Sequence, residues 1–169
     1  MKYIATTILF TFILGCSMVS PRSEIDAFVD GSNWVVESGE KTSAPYLLRY
    51  RSPTLSSQEI GGYKHLLRIV WIYAEENSGK LPSSDDLNTM AAFEELLATT
   101  IEKDQLAVLT AVLTFDGARQ WVFYTDDVNK CGEIINSWPQ TAEPFPIEID
   151  TFVDPEWKYL RDEMLQGRA

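Results

Sequence analysis

The chain is poor in the residues that most often carry chemistry. Among 169 residues there is one histidine, His65, and there are two cysteines, Cys16 and Cys131. One histidine and one or two thiols leave a four-ligand zinc site without its full set, and no D-x-D-x-D-G loop is present to wrap calcium, so no metal is expected. Around His65 no nucleophile–base–orienting set is legible, and no catalytic residue or cofactor is assigned. Positive charge is scarce as well: 14 Lys and Arg stand against 25 Asp and Glu, a formal net charge of −11. Such a surface repels phosphate backbones, so nucleic acid is not an expected partner. No internal repeat or low-complexity block appears.

What the chain does have is apolar material, 45% of residues with 12% aromatic, enough to fill the core of one domain. The first stretch, MKYIATTILFTFILGC, reads differently from the rest. Lys2 is followed by an uncharged, mostly apolar run from Tyr3 to Leu14, shorter than the roughly 20 residues of a membrane-spanning helix. It ends in Ile13-Leu14-Gly15-Cys16, which resembles a bacterial lipobox. That resemblance implies a signal peptide over 1–15 and lipidation of Cys16. The alternative is an ordinary secretory signal with an incidental cysteine. Several acyl chains on one residue give stable anchoring where a single chain does not. Ser17, rather than an aspartate, follows the cysteine, so the expected address is the outer membrane facing the periplasm. Cys131 then remains as the lone thiol, with no internal disulfide to form. Residues 16–33 read as the lipidated cysteine and a tether, with docking of Ile25 to Val29 left open, and residues 34–169 as the folded domain.

Within that domain, residues 34–51 form two apolar runs around Ser38-Gly39-Glu40-Lys41, a hairpin pattern. HLLRIVWIYAE (65–75) reads as a central strand. After Pro82, Ser83 and Asp86 make a capping box for a helix that aligns Met90, Phe93, Leu97 and Ile101. Residues 105–115 and 118–125 are strands joined at Asp116-Gly117. Asp127 caps a helix with Val128, Cys131, Ile135 and Trp138 on one stripe, which makes Cys131 a buried, inert thiol. PIEIDTFV (146–153) reads as a half-buried strand. A last helix is expected from Asp154, with Pro155 in its first turn and Trp157, Leu160 and Met164 inward. The order from 65 is βαββαβ, an α+β ferredoxin-like pattern with helices on one face of an antiparallel sheet, followed by a C-terminal helix and preceded by a β-hairpin that either extends the sheet or covers part of its other face.

Four segments carry a family resemblance: APYLLRYRSPTL, LPSSDDLNTMAAFEELL, TFDGARQWVFYTDD and DTFVDPEWKYL. In that order and spacing the chain resembles the bacterial domain of unknown function 695 family, from about Trp34 to the end. The resemblance implies a ferredoxin-like domain and brings no established reaction or binding residues. In architecture it is also distantly similar to a protein inhibitor of an endoribonuclease, and fold alone does not fix function.

The segment FDGARQWVFYTDD is the densest in polar and aromatic groups. Asp116-Gly117 suits a type I′ turn, and Asp126-Asp127, like Asp85-Asp86, suits helix capping. With a two-residue turn, Phe115 pairs with Ala118, Val112 with Trp121, and Leu109 with Tyr124. One face then carries Leu109, Ala111, Leu113, Phe115, Val122 and Tyr124, a helix-packed core. The other carries Val108, Thr110, Val112, Arg119, Trp121 and Phe123, too apolar for open solvent. It is either covered by the N-terminal hairpin or an interaction face centred on Arg119, Trp121 and Phe123. The expected function is a lipid-anchored envelope protein whose domain binds another envelope protein without catalysis. The alternatives are a carboxylate-dependent hydrolase of an envelope polymer and a small-ligand sensor or carrier.

Overall fold

A computed structural model of the protein describes Ile25, Phe28, Val29 and residues 33–52, 62–75, 78–139 and 144–166. The expected signal peptide and Cys16 lie outside the described residues. Six strands form one antiparallel sheet: β1 (Asn33–Lys41), β2 (Ala44–Ser52), β3 (His65–Ile72), β4 (Ala107–Phe115), β5 (Ala118–Thr125) and β6 (Ile147–Val153), in the spatial order β1-β2-β4-β5-β3-β6. Besides the helical Ile25, Phe28 and Val29, the described residues include α1 (Ser84–Leu97), α2 (Val128–Asn136) and α3 (Tyr159–Gln166). α1 runs on through Ala98–Glu102 in a wider turn that bonds Lys103 N–H to the Ala98 carbonyl.

Local chemistry explains most boundaries. Ser83 and Asp86 bond reciprocally at the start of α1, and the Asp127 carboxylate accepts from Lys130 N–H at the start of α2. Asp116 and Gly117 both have positive φ, 47° and 84°, as a type I′ turn requires. The first hairpin turns later than its sequence suggests. β1 continues through Lys41, and Thr42-Ser43 make the turn at φ 51° and 67°. Gly39 stays inside the strand because the Tyr46 ring lies over it, where a Cβ would come within 2.9 Å. The last helix also begins late. Asp154 still caps it, accepting from Lys158 and Tyr159 N–H, but Trp157 at φ 54° separates the cap from the first helical residue.

The two helices of the βαββαβ unit, α1 and α2, share one face as expected, and α3 with the N-terminal residues covers the other. On the first face, Met90, Phe93, Leu97 and Ile101 of α1 and its extension, with Cys131 of α2 and Trp138, pack on Leu67, Ile69, Trp71, Leu109, Val112, Trp121 and Phe123. Phe93 sits among four rings, 5.0–5.7 Å from Trp71, Trp121, Trp138 and Phe145. On the second face, Leu160 and Met164 of α3, with Trp157, Ile25 and Phe28, pack on Leu48, Leu66, Val108, Ala111, Val122 and Tyr124. Each such large side chain contributes about 1.5–3 kcal/mol on full burial. Ile25 and Phe28 are therefore part of the core, and the domain reaches back beyond residue 34 to at least Ile25.

The two faces of β4 and β5 are sorted by a bulge. Leu109 pairs with Phe123 rather than Tyr124, and the next pair is Ala111 with Val122, so Thr110 is the extra residue. A bulge swaps the side-chain alternation on either side of it. Leu109 thereby joins Val112 under α1, and Val108 joins Ala111 on the opposite face. The Thr110 hydroxyl, fully buried, donates to the Val122 carbonyl at 2.9 Å. β6 is more open than a half-buried strand: Ile149, Phe152 and Val153 are exposed.

Candidate functional site

Trp121 and Phe123, placed by the sequence on a prospective interaction face, are fully buried under α1. That face is covered by helices, and the N-terminal hairpin instead extends the sheet sideways. Trp121 is further tied down by its indole N–H, which donates to Glu94 at 2.7 Å. Arg119 is different. It lies on the same face two residues earlier, beyond the cover of α1, at the meeting point of two adjoining clefts of about 320 and 510 Å³.

The clefts form a groove whose geometry follows from the hairpin. β1 and β2 carry the sheet past α1, and no residue of either strand belongs to the core beneath α1 and α2. Across the floor run two rows of paired residues: Ser38, Leu47, Thr114 and Arg119, then Val36, Arg49, Val112 and Trp121. Leu87, Ala91, Glu94 and Glu95 of α1 and Ala98 of its extension make one wall, and Leu81-Pro82 closes one end. Val36 is 64% exposed, Leu47 41% and Trp34 36%, high values for side chains on the core side of a sheet.

Charge within the groove is uneven. Glu94 bonds Arg49 as well as Trp121, and Trp34 lies beneath the guanidinium groups of Arg49 and Arg51, 4.9 and 5.0 Å from its ring centre. Arg51 in turn pairs with Glu102 at 2.7 Å. Burial pushes the Glu102 carboxyl up, opposed by Arg51 and by the Leu109 N–H that it accepts. Among the described residues Arg119 has no carboxylate in hydrogen-bond or ion-pair contact. Its Nε donates to Thr114 Oγ1 at 2.9 Å, which leaves the two Nη groups free of protein hydrogen bonds. Burial pulls this guanidinium below its ordinary range, and Glu94 offsets part of that.

Most other conspicuous polar groups hold the fold together. Tyr124 donates to Asp154 at 2.7 Å and stacks on Trp157 at 4.3 Å, whose indole N–H reaches the Tyr63 carbonyl. The marking residues of the YTD and DPxW segments thus meet each other, fastening the C-terminal segment to β5. Burial, then the bond to Asp154, pushes the Tyr124 phenol far up, so it remains a donor. Asp150 pairs with Arg68. The buried Cys131 thiol bonds Thr125 and is pushed up by burial. Among the described residues, no group of three or more His, Cys, Asp or Glu is arranged to hold a metal ion.

The sequence missed the groove because its floor and wall come from segments far apart. The model of a family of unknown function, DUF695, matches residues 32–165. No curated protein and no solved structure matches the chain.

Proposed function

The chain belongs to the DUF695 family of unknown function, and we propose that it is a lipid-anchored envelope protein that binds a protein partner along the groove beside α1, without catalysis. The observation that carries this reading is the uncovered hairpin floor, where Val36 and Leu47 stand open beside a helix wall. Side chains of that kind on the helix-bearing side of a sheet are stable in solvent only at a cost that a partner removes. Of the carboxylates that line the groove, Glu94 is engaged by Arg49 and Trp121, while Glu40 and Glu95 stand at opposite borders rather than facing each other as a hydrolytic pair would.

The strand order from β4 outward supports a ferredoxin-like core. Counted within the βαββαβ unit, β6-β3-β5-β4 runs fourth, first, third, second, with β2 and β1 added beyond the second strand. The anchor rests on the lipobox. Because Ile25 is buried in the domain, only residues 17–24 link Cys16 to the fold, a reach of at most about 30 Å. In this reading the domain sits close to an outer-membrane inner leaflet.

Two experiments test the proposal. Radiolabelled palmitate should enter the wild-type protein and not Cys16→Ala; label retained by the variant would refute the anchor. A photocrosslinking amino acid at Val36 should give a discrete adduct in intact envelopes, and the same probe at exposed Lys158 should not. Absence of any adduct at Val36 would refute the groove as the binding surface.

A further inference from the structure

The helical layer beneath which Trp121 and Phe123 lie is one helix narrower than the sheet that supports it. α1 and α2 cover β3, β4 and β5, while β1 and β2 extend beyond. Two strands add about 10 Å of width at 4.7–4.9 Å each. Neighbouring helices pack at about 8–10 Å, so the uncovered width takes one helix laid beside α1. From Leu87 to Ala98 the wall is about 16 Å long, or three helical turns.

The charges of the groove say what such a helix would carry. At its middle lies Arg119, with both Nη groups unbonded and apolar side chains (Leu47, Leu81, Leu87) around it. A guanidinium in that setting is matched by a carboxylate, bound through two parallel hydrogen bonds. Arg49 is not available for this, since Glu94 already holds it. The exposed carboxylates are at the borders, Glu40 toward the hairpin turn and Glu95 on the rim of α1.

We infer that the groove seats a single amphipathic helix of a partner protein, with one Asp or Glu set between apolar residues against Arg119 and with Lys or Arg toward its borders. This rests on the reading of the groove as a protein-binding surface and adds the form and chemistry of what enters it. The carboxylate accepts from the Arg119 Nη groups, and the apolar positions cover Val36 and Leu47. The border cations meet Glu40 and Glu95 and suit a chain of net charge −11.

The test is a display library of helical peptides with apolar positions fixed at i, i+3, i+4 and i+7 and the remaining positions random, selected on the full-length protein. The expected result is enrichment of one acidic position between apolar residues. That preference should fall at least tenfold on Arg119→Gln and switch to Lys or Arg on Arg119→Glu. Val36→Asp should abolish enrichment. Thermal melts identify any variant that fails to fold, and Arg119→Gln, a neutral and smaller change, keeps the test valid if Arg119→Glu does not. An acidic preference that survives Arg119→Gln, enrichment that survives Val36→Asp, or no enrichment at all would overturn the inference. Self-association of the domain that Val36→Asp abolishes would assign the surface to a second copy of this chain instead. If the Val36 photocrosslink still forms while the library shows no helix, the broader binding reading stands and the helical, carboxylate-bearing partner does not.

Discussion

Two glycines offer a paired test of how the β4–β5 hairpin is held. Gly117 has φ 84°, and its missing Cβ position lies 2.9 Å from both the Ala74 and Glu75 carbonyl oxygens. Its own carbonyl accepts from Tyr73 and Ala74 N–H at 2.9 and 3.1 Å, so the turn is seated on the chain leaving β3. Alanine there adds about 1–2 kcal/mol for the left-handed backbone. Moving the turn off two backbone oxygens adds about 1–3 kcal/mol more. Gly117→Ala should therefore cost roughly 2–5 kcal/mol. Gly132, inside α2, has nothing within 4 Å of its Cβ position and a helical backbone, so alanine should stabilise by about 0.8–1 kcal/mol. The two variants differ in expected stability by about 3 kcal/mol or more, some two decades in the folding equilibrium. Urea denaturation followed by tryptophan fluorescence measures both, with an unchanged slope as the control for a two-state comparison. A Gly117→Ala protein within about 0.5 kcal/mol of wild type would refute the seated turn.

Three further outcomes follow from the same contacts. Tyr124→Phe removes a buried donor from the Asp154 carboxylate and should cost about 1.5–3 kcal/mol by denaturation, with the Trp157 stacking retained in near-ultraviolet circular dichroism. Cys131, buried with its thiol pushed up, should react with a disulfide reagent at least about a hundredfold more slowly folded than in urea; equal rates would contradict its placement beneath α2. Hydrogen bonds from Ser83 hold the Asp86 carboxyl below its ordinary value. Its contribution is thus present above the unfolded value and lost as pH falls through the lower folded one. Amide exchange in the first turn of α1, corrected for intrinsic rates, should lose protection only below about pH 4, and Asp86→Asn should remove that pH dependence.

Legibility differed by kind of feature. Ser83 with Asp86, Asp127 before α2 and the Asp116-Gly117 turn each declare themselves within four residues, because capping and turn geometry are satisfied locally. Their structural roles match their sequence readings. Gly39 misled, since a glycine beside charged residues resembles a turn until the Tyr46 ring that fills its place is known. Arg119, Trp121 and Phe123 were correctly set on one side of β5. What covers that side was not legible, because it depends on helices distant in sequence.

From the sequence alone come the strands and helices, their order, the caps, the apolar stripe of α1 and the acidic balance, all products of short-range periodicity and composition. Only the tertiary structure decides which face of β4 meets which helix, because the bulge at Thr110 shifts the pairing by one residue without a local marker. The burial of Ile25 and Phe28 is decided there too, by the second apolar face that α3 leaves partly open. So is the groove: the hairpin joins the sheet beside β4, beyond the reach of α1, and leaves Arg119 at the edge of the core bonded, among the described residues, to Thr114 rather than to a carboxylate.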